Sequence, residues 1–427
     1  MKFKSYSNTN FHKTVYYQSL PEEEKLNFDI LAKVFHFKVN NYVLDHLIDW
    51  DNVPHDPMYK LLFPRKEMLS EKDYQYLKRL KLAGAEFNQK TFVPLIERLR
   101  QKMTPTVNVH KNGDIHINGE KVNGMYSNFR TIVSLSPSPM SRTCHSYCSY
   151  CFRWIIFNDF DLQKDLPYHD PNTPVPFLEA NPQITDVMFT GADPLVMKVD
   201  KLKAYIEPIL SIDSVQVIRI NSKSLAWWPY RFLTDNDADE LLDLFRYIQS
   251  KGKHFNFCAH FTHPRELENE VVKAAIEKIK ATGAVIRCQG PLVKGINDRA
   301  QDWIDLWTKQ IQLGLIPYYM FIEANHHTES CFRVPLAESL RIFQEAQKHT
   351  TGLARTVRGP VFMNDINRIL LDGTTELNGQ KYFVLKSLQC SPGLESEGKI
   401  KLLPYDEHAL TLGNLFEVFN EEVVEQV

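Results

Sequence analysis

The chain of 427 residues contains no uninterrupted apolar run of about 18 residues, so no membrane-spanning helix is expected. Its first residues, Met1-Lys2-Phe3-Lys4-Ser5-Tyr6-Ser7, lack the apolar core of a secretory leader, and the expected location is the cytoplasm. Neither sign of charge dominates. The 50 Lys and Arg against 52 Asp and Glu leave a formal net charge of −2, so no global basic field argues for nucleic acid or an anionic membrane. There is no disulfide framework. The cysteines number seven, and Cys258, Cys288, Cys331 and Cys390 are scattered singly. No low-complexity tract and no internal repeat beyond strand–helix units is found. What remains is an ordinary globular composition, 43% hydrophobic and 24% charged, with ample length for a large core.

Three regions follow from the patterning. Residues 1–125 read as a mainly helical region with a small hairpin. Glu22-Glu23-Glu24 ahead of Leu26, Ile30, Leu31 and Val34 gives one helix start, and Ser70-Glu71-Lys72-Asp73 ahead of Tyr74, Leu77 and Leu80 a second. Val107, Val109, Ile115 and Ile117 alternate with polar residues around the turn signals Asn112-Gly113 and Asn118-Gly119. Residues 126–352 alternate strand and helix. The candidate strands are Thr131–Leu135, Asp186–Thr190, Val215–Ile220, His254–Phe261, Ala284–Gln289 and Pro317–Ile322. Helical patterns lie near 200–211, 236–251, 268–282, 299–313 and 335–348. That order implies a parallel sheet with crossover helices. Six units are too few for a full eight-fold barrel, so the expected class is α/β, a partial (β/α)6 TIM-like barrel. Its ligand site is expected at the carboxyl ends of the strands. Residues 353–427 read as a β-rich extension with turns at Asp372-Gly373, Asn378-Gly379 and Ser391-Pro392-Gly393 and a strand at Lys381–Leu388.

Cys144, Cys148 and Cys151 fall in one loop after the first of these strands. Three thiolates can hold three irons of a cubane and leave the fourth iron open, whereas most cluster proteins supply four cysteines. A small molecule with an amine and a carboxylate could occupy the open position. The plain alternatives are a structural Cys3His zinc site completed by His145, strained because His145 adjoins Cys144, and buried inert thiols.

The C-x3-C-x2-C loop, with an aromatic residue before its third cysteine, resembles that of the radical S-adenosylmethionine superfamily. More narrowly, the chain resembles the lysine 2,3-aminomutase family. The matching stretches are Asp56-Pro57-Met58-Tyr59, Cys144–Arg153, Thr190–Leu195, Val217–Ile220, His260–Pro264, Leu292–Asp298, Pro317-Tyr318-Tyr319 and Cys331–Pro335. The resemblance implies a [4Fe-4S] cluster on Cys144, Cys148 and Cys151 whose unique iron binds S-adenosylmethionine. It also implies reductive cleavage to methionine and a 5′-deoxyadenosyl radical. Gly191-Ala192-Asp193-Pro194 stands where the family has Gly-Gly-Asp-Pro, a turn approaching the methionyl amine. Ala192 is a departure, tolerable if that position does not need a positive φ. His260 and Gln289 match positions that hydrogen-bond S-adenosylmethionine, though either taken alone is more often a satisfied core polar residue. Arg153 matches an arginine that pairs with the substrate's α-carboxylate, a task suited to a planar guanidinium; its plain reading is a surface salt bridge. His263, His326 and His327 are left as structural or solvent-facing.

The pattern breaks where the family carries a glycine-rich loop and a lysine bound to pyridoxal phosphate. The corresponding stretch, Arg355–Asp365, has neither a glycine run nor a lysine, and Lys381 and Lys386 beyond it lie in an expected strand. Ala324 stands near the place of the acidic residue of lysine-specific members, with Glu323 one position earlier. Of the basic residues that hold the cofactor phosphate, Arg130 is retained. The expected function is hydrogen abstraction from an amino acid, an amino-acid-like molecule or a peptidyl residue, without pyridoxal phosphate. The rivals are a pyridoxal-dependent aminomutase, a zinc-stabilised binding module and a radical methyltransferase or methylthiotransferase on RNA. Expected partners are an electron donor such as flavodoxin or ferredoxin and, by analogy, a second copy of the chain.

Overall fold

In the computed structural model, the described residues are 1–84, 86, 92–103, 113–117, 119–138, 143–151, 168–322, 331–363, 367–392 and 395–411. Their centre is one sheet of twelve strands that neighbour each other in chain order. The strands are β1 (Asp114–Ile117), β2 (Glu120–Phe129), β3 (Ile132–Leu135), β4 (Asp186–Phe189), β5 (Val217–Ser222), β6 (His254–His260), β7 (Val285–Leu292), β8 (Ile316–Ile322), β9 (Arg358–Met363), β10 (Asn367–Leu377), β11 (Gln380–Cys390) and β12 (Ile400–Pro404).

Strands β3 to β9 run parallel. Helices cross between them: α1 (Pro174–Ala180), α2 (Val199–Leu210), α3 (Ala238–Ser250), α4 (Glu270–Lys280), α5 (Ala300–Gln312) and α6 (Leu336–Lys348). The six expected strand–helix units are present, and β9 adds a parallel strand beyond them. The flanks β1–β2 and β10–β12 are antiparallel. The same sheet passes through residue 125 inside β2 and continues beyond residue 352.

Side-chain alternation explains the layering. In β7, Ile286, Cys288, Gly290 and Leu292 are buried while Val285, Arg287, Gln289 and Pro291 are half-buried. The apolar set meets the helices; the other set faces the lumen. Helix α4 answers with Val272, Ala275, Ile276 and Ile279, the i, i+3, i+4, i+7 stripe of an amphipathic helix. The side chain of Asn269 caps it by accepting from Val271 N at 2.9 Å. A close approach fixes Gly290. A Cβ there would stand 2.1 Å from the carbonyl oxygen of Phe261.

The amino-terminal region packs on the carboxyl end of the barrel. Both expected helices form, Glu22–Val34 and Glu71–Leu82, the latter capped by Ser70 Oγ accepting from Asp73 N at 3.1 Å. The hairpin is β1–β2; Val107 and Val109 lie outside the described residues. At the other end, Asn378 and Gly379 have φ of 52° and 75°, the conformation of a tight hairpin turn between β10 and β11. Asp372-Gly373 is not a turn. It sits inside β10, where the register with β11 shifts between Leu371 and Gly373. A glycine within a strand here serves a bulge.

Candidate active site

The cysteine loop is stitched to the amino-terminal region by its backbone. Tyr147 N donates to Lys38 O and Ser149 N to Leu61 O, both at 2.8 Å. Ser149 Oγ donates to Lys60 O at 2.8 Å. Asn40 Nδ2 reaches Ser146 Oγ at 3.0 Å and Trp227 O at 2.8 Å, tying loop and barrel together. Lys38 Nζ donates to Thr143 Oγ1 and Cys144 O, each at 2.7 Å. The helix Pro57–Leu62, which supplies Lys60 and Leu61, is capped by Asp56, whose carboxylate also pairs with Arg265 just beyond His263-Pro264. Two stretches distant in sequence thus support one loop.

The three thiols influence one another. Burial pushes the Cys144 thiol well up, with Asp193, Cys151 and Cys148 adding to the rise and Lys38 opposing it. Cys148 is pushed up to about 12, by burial first, while Lys223 pulls it down. Among the described residues, no three His, Cys, Asp or Glu converge to hold a single metal ion. A cubane makes a different demand, because each thiolate meets its own iron. The ring of His145 is engaged elsewhere, its Nδ1 lying 2.9 Å from Ser224 Oγ.

After β4 the chain turns through Gly191-Ala192-Asp193-Pro194. Gly191 has φ of 128°, whereas Ala192 is outside the left-handed region, so the alanine is tolerated. Asp193 is buried and locks this turn to β5. Its Oδ1 accepts from Leu195 N at 3.0 Å and Ser222 Oγ at 2.8 Å, and its Oδ2 from Lys223 N at 3.0 Å. Asp193 N in turn donates to Thr143 O at 3.3 Å, beside the first cysteine. Burial raises the Asp193 carboxyl, against the pull of those hydrogen bonds.

His260 and Gln289 end adjacent strands and are register partners. Alternation from the lumen-lining Asn256 and Arg287 directs both inward. Burial first, then the Lys223 charge, holds His260 neutral, its pKa well below the ordinary value. Its Nε2 is 3.2 Å from Tyr150 Oη, the aromatic residue before the third cysteine. Tyr150 Oη is also 3.2 Å from Thr262 Oγ1. That ring nitrogen thus faces the cysteine loop. For Gln289, the carbonyl accepts from Phe261 N at 3.1 Å. His263 is structural, with Nδ1 accepting from Arg265 N at 3.2 Å.

Sequence reasoning missed a buried ion pair under this network. Lys223 Nζ lies 2.8 Å from Glu266 Oε1, with side chains 8% and 0% exposed. Lys223 also donates to Thr262 Oγ1 at 3.0 Å. The signal was available only at Glu266, three residues after His263 ahead of a helical turn. Lys223 carries no motif of its own.

Arg153, Glu323, Ala324, His326 and His327 lie outside the described residues. Arg130 is exposed, in the turn that precedes β3. That is the opposite end of the strand from the cysteine loop, so it does not hold a ligand there. Lys381 and Lys386 are exposed. A cavity of about 460 Å³ lies elsewhere than at the expected carboxyl ends. It is lined by Asp186, Val217, His254 and Ile316, the first residues of their strands, and so opens at the amino ends.

No family model matches the chain. A protein of Aquifex aeolicus, provisionally named an L-lysine 2,3-aminomutase, is 28% identical over 361 residues, 84% of this chain and 83% of that one. The L-lysine 2,3-aminomutase of Methanococcus maripaludis is 25% identical over 78% of this chain and 65% of its own length. That of Haemophilus influenzae is 27% identical over 51% and 62%. The chain is a divergent relative of the lysine 2,3-aminomutases. Among solved structures, Streptococcus suis SuiB aligns with a TM-score of 0.36 at 11% identity over 65% of this chain and 57% of that one. A value so low adds nothing to the relationship. The cofactors of this radical S-adenosylmethionine family are a [4Fe-4S] cluster and S-adenosylmethionine. Three mutually close thiols at the carboxyl end of a parallel barrel, beside a glycine turn, fit that pair.

Proposed function

We propose that the chain is a radical S-adenosylmethionine enzyme that abstracts hydrogen from an amino acid, an amino-acid-like molecule or a peptidyl residue. The observation that carries the reading is the gathering of Cys144, Cys148 and Cys151 in one loop, pinned on one side by Lys38 and on the other by Tyr150 and His260. Cys144, Cys148 and Cys151 would hold the cluster, and the Gly191–Pro194 turn would receive the methionyl end of S-adenosylmethionine. Bound there, the pair supplies a 5′-deoxyadenosyl radical. The protein's own work is positional. Asp193 fixes the turn relative to the loop, and His260, held neutral, braces Tyr150. Gln289, facing the lumen beside His260, offers an uncharged amide to the nucleoside. Arg153 would pair with a substrate carboxylate.

The test is anaerobic reconstitution with iron, sulfide, reductant and S-adenosylmethionine, followed by detection of 5′-deoxyadenosine. Product is expected from the native chain and none from Cys148→Ala. No product from the native chain with any amino-acid or peptide pool would overturn the reading. A second reading, a pyridoxal-dependent lysine 2,3-aminomutase, is favoured by the names of the relatives along most of the chain. Pyridoxal absorbance that shifts on borohydride reduction would establish it in place of the first.

A further inference from the structure

The lumen at the amino-terminal mouth of the barrel carries an imbalance of charge that the proposed reaction does not use. Arg219, Arg287 and Arg358 line the 460 Å³ cavity, and Asp186 is the one carboxylate among its lining residues. Arg368 stands behind them, buried. Its guanidinium lies 5.4 Å from the Tyr319 ring centroid; burial raises the Asp186 carboxyl, and Arg219 first and then Arg368 pull against that rise. Four guanidiniums thus surround one carboxylate. Asp186 is committed to Arg219, with which it forms an ion pair. Arg358 Nη1 rests on Tyr319 Oη at 3.2 Å, and Arg368 Nη1 on the amide Oε1 of Gln389 at 2.8 Å.

Donors remain. The Nε atoms of Arg219 and Arg368 are buried without a hydrogen-bond partner, as is Asp186 Oδ1. Burying guanidiniums without counter-charge is unfavourable unless something supplies it. A cleft lined by one sign of charge, with low-dielectric walls, concentrates the opposite ion. Planar guanidiniums match carboxylate and phosphate oxygens in pairs. Arg358 is exposed and Arg287 half-buried, while the Arg219 side chain is 12% exposed.

The site is remote from the cysteine loop. Lining residue His254 and loop partner His260 are the two ends of β6, six residues apart, which in a strand is about 20 Å. We propose that this mouth binds a small organic or inorganic anion, a carboxylate or phosphate compound, between Arg219, Arg287 and Arg358 with Arg368 behind. The inference does not depend on the radical reading.

Calorimetric titration of the full chain with inorganic phosphate, and separately with succinate, tests it. Saturable one-site binding is expected for at least one probe, with Kd near about 1 mM or tighter. Phosphate alone would assign the phosphate class, and succinate alone the carboxylate class. Arg287→Gln and Arg358→Gln, confirmed folded by their melting curves, are each expected to weaken binding about tenfold, the loss of one charge-assisted contact. Cys148→Ala is expected to bind as the native chain does. Absence of saturable binding with both probes would overturn the proposal. So would equal affinity in both folded arginine variants, or loss of binding in Cys148→Ala, which would move the anion to the cysteine loop.

Discussion

The buried pair Lys223–Glu266 is the sharpest place to test the physical account of the site. The Nζ to Oε1 distance is 2.8 Å and neither side chain meets solvent appreciably. Removing one partner of such a pair strands a charge, at a cost of about 3–5 kcal/mol. The two halves should not cost the same. Without Lys223, the Glu266 carboxylate still accepts from Trp227 Nε1 at 3.0 Å, Thr262 N at 2.5 Å and His263 N at 3.1 Å. Those donors hold it, so Lys223→Met falls near the low end. In Glu266→Gln, the new NH2 must oppose either the indole and ammonium donors on one side or the two backbone donors on the other. Lys223 then keeps Thr262 Oγ1 and His260 O as partners but no counter-charge. Unfolding entropy of about 2.1 cal/mol/K per residue gives roughly 0.9 kcal/mol/K for 427 residues. A loss of 3–5 kcal/mol thus lowers Tm by about 3–6 °C. Scanning fluorimetry is expected to place Glu266→Gln below Lys223→Met, and the double variant Lys223→Met, Glu266→Gln above the sum of the single losses. Additive single losses, or a Tm for Glu266→Gln within about 1 °C of native, would refute the reasoning.

Three further outcomes are expected. Gly290→Ala forces a Cβ to 2.1 Å from Phe261 O, whose residue is held by Phe261 N donating to Gln289 O, so β6 and β7 must part. The Tm should fall by at least about 2 °C, or soluble protein should be lost, as for overpacking of about 1–3 kcal/mol or more. Asp193→Asn sets an NH2 against Leu195 N and Ser222 Oγ or against Lys223 N, so a lower iron content per chain after reconstitution is expected, together with a lower Tm. Burial lowers the pKa of His263 in the folded chain below its ordinary 6.5, although Asp302, Glu266 and Asp56 pull the other way and Arg265 adds to the lowering. Below pH 6.5 the unfolded chain therefore binds a proton that the folded chain resists, and stability falls with acid by at most about 1.4 kcal/mol per pH unit from this group. His263→Asn keeps an acceptor for Arg265 N, and its denaturation midpoint should drop less than the native one between pH 6.5 and 5.

The barrel was legible because its signals are local. Each parallel strand is a short β-branched or aromatic run, and each crossover helix shows its buried stripe, as Val272, Ala275, Ile276 and Ile279 do. The cysteine loop was legible for the same reason: its three cysteines lie within eight positions. Lys223 was not, because its meaning comes from Glu266, which reaches it from the turn after another strand. Asp372-Gly373 misled because a glycine marks a bulge as readily as a turn, and only the pairing with β11 decides between them. Arg130 was read from the resemblance alone, although its place before β3 in sequence already sets it at the amino end of that strand.

The charge of the lumen fits the proposed reaction without pyridoxal phosphate. A pyridoxal Schiff base needs an amine that can lose its proton and attack a carbonyl. A guanidinium remains protonated and cannot serve. The antiparallel strands after β9 bring Arg368 toward the lumen, against Tyr319 and Phe129, while Lys381 and Lys386 on β11 are exposed. Lys381 is occupied there, its ammonium 3.9 Å from the Tyr405 ring centroid. Arg368, in the described part of the extension, thus brings the lumen fixed positive charge. Fixed charge holds anions, and it lies at the mouth opposite the cysteine loop. The proposed radical initiation at one end and the proposed anion capture at the other would be separable functions of one barrel, because the strands between them hold the two ends about 20 Å apart.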